Sequence, residues 1–376
     1  SMAESRAVTA TFTLNTYELT VSKDGTGTGT VSSNPLGIDC GLDCSQAYDY
    51  NTPVTLTATP DTGSTFTGWA GACAGTGTCE VTMSQVRTVT ATFTLNQYTV
   101  TAGATGTGSG SVSSDVGGIS YAYPGQATGT TTPLDHGSAV TLTATAATGS
   151  TVLWTGCTAT GGTTTAATCT FSSLDSDKSV TATFTLNQYT VTANATGTGG
   201  GAVSSNVGGI SYAYPGQTTG STTPLDHGSA ITLTATAATG STVAWTGCTA
   251  TGGTNTTATC AFSSLDGDKT ATATFTLDTF SLTVQLEGSG KGTVTSDPAG
   301  IDCGTDCDQI FDYGETVTLT ATPEGKSKFK GWSGACYGTD TTCTVTIDQA
   351  VTVGARFDNS FPWNLYLPTI INGGYN

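Results

Sequence analysis

Short runs in which every second residue is apolar recur along the whole chain, separated by glycine-rich stretches. Tyr17/Leu19/Val21, Val54/Leu56/Ala58 and Val89/Ala91/Phe93 are three such runs, each with threonine or another small polar residue between the apolar positions. A period of two places alternate side chains on opposite faces of a strand, so each run predicts a strand with one buried face and one hydroxyl-covered face. Glycine and threonine dominate while helix-favouring Leu, Lys, Glu and Arg are scarce, and Thr, Val, Tyr and Phe favour strands while Gly favours turns. The pattern predicts an all-β protein.

The runs also repeat at long range. "VTATFTLN" stands at 8–15, 89–96 and 180–187, with "ATATFTLD" at 271–278 and "VTVGARFDN" at 351–359. Each of the first four is followed at once by a further strand-like run: "TYELTVS", "QYTVTAG", "QYTVTAN" and "TFSLTVQ". The repeats are therefore 16–96, 97–187, 188–278 and 279–359, the inner two nearly identical and the outer two shorter. Residues 6–15 read as the last strand of a preceding repeat, and 1–15 as that strand behind a vector-derived remnant, "SMAES". Residues 360–376, "SFPWNLYLPTIINGGYN" from Ser360 on, form a tail of different composition, read as a strand docked on the last repeat or a segment for a partner.

The junctions predict rigidity. In "VTATFTLNQYTVTA" apolar residues occupy odd positions up to Leu95 and even positions from Tyr98. This parity flip at Asn96–Gln97 lets one strand end in one core and the next begin in another, with no Pro- or Ser-rich spacer. The expected architecture is a tandem array of four small antiparallel β domains, β-sandwich or β-grasp-like, disulfide-stapled and forming an elongated rod. Compact-domain scaling gives roughly 30 Å per repeat and on the order of 120 Å for four.

Charge narrows the partners. A tenth of the residues are charged and the net charge is −17, which argues against nucleic acid or an anionic membrane as partner, since both require a basic face. No stretch is long and apolar enough to span a bilayer as a helix. Twelve cysteines, an even number, suit an oxidising compartment, so the expected location is extracellular or at the cell surface.

The cysteines raise the question of metal against staple. The first repeat has Cys40, Cys44, Cys73 and Cys79, and the fourth has Cys303, Cys307, Cys336 and Cys343, either of which could form a tetrahedral zinc site. The inner repeats keep only Cys157/Cys169 and Cys248/Cys260. A four-ligand site would lose both halves together, whereas an independent disulfide can be dropped alone. By elimination the pairs are Cys40–Cys44, Cys73–Cys79, Cys157–Cys169, Cys248–Cys260, Cys303–Cys307 and Cys336–Cys343.

On "GTVSSNPLGIDCGLDC", "VTLTATPDTGSTFTGWAGACAGTGTCEVTM" and "VTATF" in the first repeat, and "GTVTSDPAGIDCGTDC" and "VTLTATPEGKSKFKGWSGAC" in the fourth, the chain resembles the divergent InlB-type B-repeat family of bacterial secreted and surface proteins. The resemblance implies a secreted or surface-displayed array acting as stalk, spacer or adhesin, and supplies no catalytic residues. The inner repeats depart from it by lacking the first cysteine pair and carrying a longer central segment.

Other candidates sit beside plainer readings. Trp69, Trp154, Trp245 and Trp332 occur once per repeat, as core plugs or as a row for stacking sugars. Tyr121, Tyr123 and His136, with Tyr212, Tyr214 and His227, lie in the extra segments of the inner repeats and are the candidate binding residues. Asp175/Asp177 and Asp266/Asp268 are weak calcium candidates, alternate carboxylates in turns. No cofactor is expected otherwise. No nucleophile is paired with a base, so the chain is not read as an enzyme. The leading expectation is a stalk or spacer with adhesion to glycans or to a host or neighbouring cell surface, or self-association end to end or through the tail. The alternative is a carbohydrate-binding module array using the tyrosine loops, and an ice-binding threonine surface is a third, weaker reading.

Overall fold

The structure, a computed structural model, describes residues 4–359, so the reading of the tail as a docked strand lies outside the described residues. The chain divides between Asn187 and Gln188 into two compact units, each carrying two repeats. Every regular element described is a strand.

In repeat 1 the strands are β1 (Thr16–Asp24), β2 (Gly29–Asn34), β3 (Ser45–Asp49), β4 (Pro53–Pro60), β5 (Ser64–Gly71), β6 (Cys79–Thr82) and β7 (Arg87–Leu95). They form a sheet of order β3-β1-β7-β5 and a sheet of order β2-β4-β6. The inward positions of both sheets share one core, with Leu19, Val31, Leu56 and Phe93 fully buried. The repeat is a β-sandwich. The alternation of Val89, Ala91 and Phe93 buries one face of β7 in the core, while the threonines between them stay on the other face; pairing with β1 and β5 makes β7 a central strand.

One pairing departs from the antiparallel expectation. β1 and β7, the first and last strands of the repeat, lie side by side and parallel, from Leu19↔Arg87 to Asp24↔Thr92. Side-chain periodicity fixes which face a strand buries but is silent about its direction, and a parallel neighbour needs a long crossover. Here the crossover is the rest of the repeat.

Repeat 2 is built from β8 (Gln97–Tyr98), β9 (Val100–Gly106), β10 (Gly110–Ser114), β11 (Ser120–Tyr123), β12 (Thr128–Thr130), β13 (Leu134–Asp135), β14 (Val140–Ala146), β15 (Ser150–Thr155), β16 (Ala159–Gly162), β17 (Ala166–Phe171) and β18 (Lys178–Leu186). Its sheets run β12-β9-β18-β15 and β11-β10-β14-β17-β16, with β8 and β13 as a small pair. β9 and β18 repeat the parallel pairing, from Val100↔Lys178 to Gly106↔Phe184. Repeat 3 has the plan of repeat 2, and repeat 4 that of repeat 1 with a short strand, Asp302–Cys303, added to its second sheet; their parallel pairs start at Val191↔Lys269 and Leu282↔Val351. Four separate hydrophobic clusters, one in each repeat, make up the buried apolar residues.

Between repeats 1 and 2 a single residue, Asn96, separates β7 from β8. Its N–H donates to Gly63 O at 2.8 Å and its C=O accepts from His136 N–H at 2.7 Å. Gly63 sits in the turn before β5 with φ +79°, and a Cβ there would lie 2.0 Å from the His136 ring. Repeats 3 and 4 meet in the same way: Asp278 N–H donates to Gly240 O at 2.9 Å, Tyr313 N–H donates to Asp278 O at 2.9 Å, and the Tyr313 ring covers Gly240.

Residues 8–15 carry the β7 sequence yet form no strand, and Val8 and Phe12 are 92% and 93% exposed. β7 is held on one edge by β1 and on the other by β5; residues 8–15 have neither flank.

Candidate functional site

All six cysteine pairs of the structure are local: Cys40–Cys44, Cys73–Cys79, Cys157–Cys169, Cys248–Cys260, Cys303–Cys307 and Cys336–Cys343. Among the described residues no group of three or more His, Cys, Asp or Glu is arranged to hold a metal ion.

The tyrosine loops turn inward. Tyr121, on the sheet-edge strand β11, is 7% exposed and its hydroxyl donates to Ala102 O at 2.8 Å. Tyr212 does the same to Ala193 O at 2.8 Å. Burial pushes both phenols above their ordinary pKa. Tyr123 donates to Gly106 O at 2.9 Å and stacks on Phe184 with centroids 5.7 Å apart; Tyr214 repeats this on Gly197 O and Phe275. These four hydroxyls are therefore bonded within their own repeats rather than held out for a ligand.

The same carbonyl position has a different neighbour in the outer repeats. Val21 and Val284 stand where Ala102 and Ala193 stand, and their carbonyls are met by Cys40 Sγ at 3.8 Å and Cys303 Sγ at 3.6 Å. A clasp sulfur covers this position in repeats 1 and 4 and a tyrosine hydroxyl in repeats 2 and 3.

His136 and His227 lie at repeat ends rather than with the tyrosines. His136 packs edge-on to Tyr98 at 6.1 Å and over Gly63, and His227 packs on Tyr189 at 6.1 Å. Their Nδ1 atoms are buried without a hydrogen-bond partner, and it is the ring contacts with Tyr98 and Tyr189 that give each imidazole its place.

The acids divide by task. Lys178 donates to Asp175 at 2.6 Å and holds that carboxyl below its usual pKa, as Lys269 does for Asp266. Asp177 accepts from Thr99 N–H at 2.7 Å and Thr99 Oγ1 at 3.1 Å, pinning the start of β9; Asp268 pins Thr190 identically. The four carboxylates are engaged by the protein.

Trp69, Trp154, Trp245 and Trp332 are core residues, 3–7% exposed. Each indole N–H donates to a backbone carbonyl: Trp69 to Gly77, Trp154 to Ala167, Trp245 to Ala258 and Trp332 to Asp340.

Sequence reasoning missed one feature. In repeat 2 a cleft of about 380 Å³ opens between β15 and the β16–β17 hairpin, lined by Leu153, Trp154, Thr160, Gly161 and Thr163 among others. Repeat 3 has its counterpart, about 300 Å³, with Ala244 and Asn255 where repeat 2 has Leu153 and Thr164. The signal was present as cysteine spacing: the sequence separation of Cys157 and Cys169 is 12, against 6 for Cys73 and Cys79. The extra length builds the hairpin that walls the cleft.

A family model described as the divergent InlB B-repeat domain matches residues 17–97, 119–188 and 282–360, more than half of the chain. No curated protein matches the sequence. Among solved structures the chain is similar to the Bacillus anthracis TIE protein at 7% identity and TM-score 0.44, covering 88% of this chain and 65% of that one. It is also similar to two B repeat units of the collagen-binding protein of Staphylococcus aureus, at 12% identity and TM-score 0.20, covering 93% of this chain and 100% of that one. A third, the pilus adhesin SpaC from Lactobacillus rhamnosus GG, has 10% identity and TM-score 0.26, covering 89% of this chain and 54% of that one.

Proposed function

The chain belongs to the divergent InlB B-repeat domain family, and from that membership we propose that it is a non-catalytic spacer in the exterior part of a bacterial surface or secreted protein, built to carry tension along the chain. The observation behind this reading is the parallel pairing of the first long strand with the last strand in all four repeats. Tension enters a repeat at the start of β1 and leaves at the end of β7. Because these strands are parallel neighbours, those two points lie at opposite ends of one ladder. Pulling them apart slides the strands past each other and loads every cross-strand hydrogen bond at once. An antiparallel pair pulled from one end would open bond by bond.

Two features support the same use. One-residue junctions with hydrogen bonds on both sides of Asn96 and Asp278 pass force from repeat to repeat without slack. The cysteine pairs lie outside the parallel strands, so they brace the loops rather than bear the pull. Adhesion through the tyrosine loops finds no support in where those hydroxyls point.

Single-molecule pulling tests the reading. Held at its ends, the full chain is expected to give unfolding peaks at a force well above that needed when repeat 1 is pulled through handles at Thr16 and Val86, which open the β1–β7 pair from one end. Equal forces in the two geometries would sink the proposal.

A further inference from the structure

The twin clefts carry an inference that is independent of any spacer role, since an array that only spans distance has no use for them. Each lies between two sheet edges. β15 is the last strand of one sheet and β16 the last of the other, and the corresponding strands of repeat 3 are Ser241–Thr246 and Ala250–Gly253. Val152 N–H points away from β18 and donates across the cleft end to Thr164 O at 2.7 Å. Strand geometry alternates the direction of backbone groups, so Trp154 N–H, two residues on, points the same way, toward the cleft.

The outer repeats show what fits there. In repeat 1 Trp69 N–H donates to Gly75 O at 2.8 Å, and in repeat 4 Trp332 N–H donates to Gly338 O at 2.9 Å. Both contacts are isolated antiparallel bridges. A short stretch of the chain itself lies along the tryptophan edge in these repeats. In repeats 2 and 3 the longer hairpin reaches past, to Val152 and Val243, and no bridge forms at Trp154 or Trp245 among the described residues.

We propose that the clefts of repeats 2 and 3 are strand-acceptor sites, each taking a short, extended, uncharged peptide segment whose carbonyl meets the Trp154 or Trp245 N–H as Gly75 and Gly338 meet theirs. Backbone pairing supplies the affinity in this mode of recognition and neighbouring side chains the selectivity. No ionisable side chain lines either cleft, and the chain's net charge of −17 disfavours an acidic segment. Volumes of about 380 and 300 Å³ sit at the small end of ligand pockets and restrict the segment to a few residues with small side chains. Leu153 gives repeat 2 an apolar wall that Ala244 does not provide in repeat 3, so the two clefts differ in preference.

The test uses the full chain labelled with ¹⁵N only at tryptophan, titrated with the acetylated and amidated peptide Ala-Gly-Thr-Gly-Thr, the sequence of residues 74–78. The expected result is a saturable shift of the Trp154 and Trp245 backbone amide signals with those of Trp69 and Trp332 unmoved, and no shift with the same peptide carrying proline at its centre. In the free chain, Trp154 and Trp245 amides should exchange with solvent faster than those of Trp69 and Trp332 and slow when the peptide is added. Absence of a saturable shift, equal shifts at Trp69 and Trp332, or shifts produced by N-acetylchitobiose and not by the peptide would overturn the assignment.

Discussion

Gly63→Ala is a small change with two separable consequences. The first is local: φ is +79°, where a Cβ costs about 1–2 kcal/mol. The second is at the junction, because the new Cβ would stand 2.0 Å from the His136 ring, and His136 must leave. Its departure gives up the edge contact with Tyr98, worth about 0.5–1.5 kcal/mol, and strains the bond from His136 N–H to Asn96 O, worth about as much. Gly75→Ala separates the two effects, since Gly75 has φ +90° and nothing within 4 Å of its would-be Cβ. Both variants should lower the melting temperature of repeat 1, by about 4–8 °C per kcal/mol for a domain of this size. Only Gly63→Ala should loosen the junction. Donor and acceptor dyes placed in repeats 1 and 2 of the full chain, read by time-resolved energy transfer, report this as a broadened distance distribution. Pairing Gly63→Ala with His136→Gly makes room for the Cβ and should narrow the distribution part of the way back. If Gly63→Ala broadens it no more than Gly75→Ala, the His136–Gly63 contact does not hold the junction and the reasoning fails.

Tyr121→Phe removes one of two donors facing Ala102 O, the other being its ladder neighbour Gly129, and should cost about 0.5–1.5 kcal/mol, measured by denaturant unfolding. A cost near zero would mean that water reaches the carbonyl. Because the folded pKa values of Tyr121 and Tyr212 are raised, the stability these phenols contribute is present below their unfolded pKa of about 10 and lost as pH rises through the folded values. The melting temperature should therefore fall steeply in alkali, and the slope should flatten in the double Phe variant; identical slopes would refute the burial argument. Loop entropy predicts that removing Cys157–Cys169, with its separation of 12, costs about 3 kcal/mol and removing Cys40–Cys44, with its separation of 4, about 2 kcal/mol. Non-reducing peptide mapping checks the pairs themselves, and a link from Cys40 to Cys73 or Cys79 would overturn them.

Alternation made the faces legible. Val89, Ala91 and Phe93 alternate because one side of β7 is core, and the parity flip at Asn96–Gln97 marks the change from one core to the next. Strand direction was not legible, because parallel and antiparallel neighbours bury the same side chains; the β1–β7 pairing is visible only in register. The junction contact was hidden for another reason. Gly63 and His136 are far apart in sequence, and each alone reads as an ordinary turn residue. The longer cysteine spacing marked the extra hairpin, but the open edge inside the cleft depends on the direction of the Trp154 N–H, which no side-chain pattern encodes.

The inner and outer repeats show how one fold meets a single demand with two chemistries. The carbonyl position shared by Val21, Ala102, Ala193 and Val284 belongs to the first long strand of each repeat, beside the central last strand, and each repeat covers it. A five-residue clasp brings Cys40 or Cys303 over it, and a longer loop brings Tyr121 or Tyr212. The two solutions differ in what they leave outside. The clasped repeats close their tryptophan edge with their own chain, through Gly75 and Gly338, whereas the tyrosine repeats carry a longer hairpin and leave that edge facing a cleft. Length inserted at two places, the loop before β14 and the hairpin after β15, distinguishes the inner pair. The first insertion replaces a covalent brace with a hydrogen bond, and the second makes a surface that the outer repeats do not have. Chemistry toward a partner is therefore expected at the second insertion, not at the tyrosines of the first.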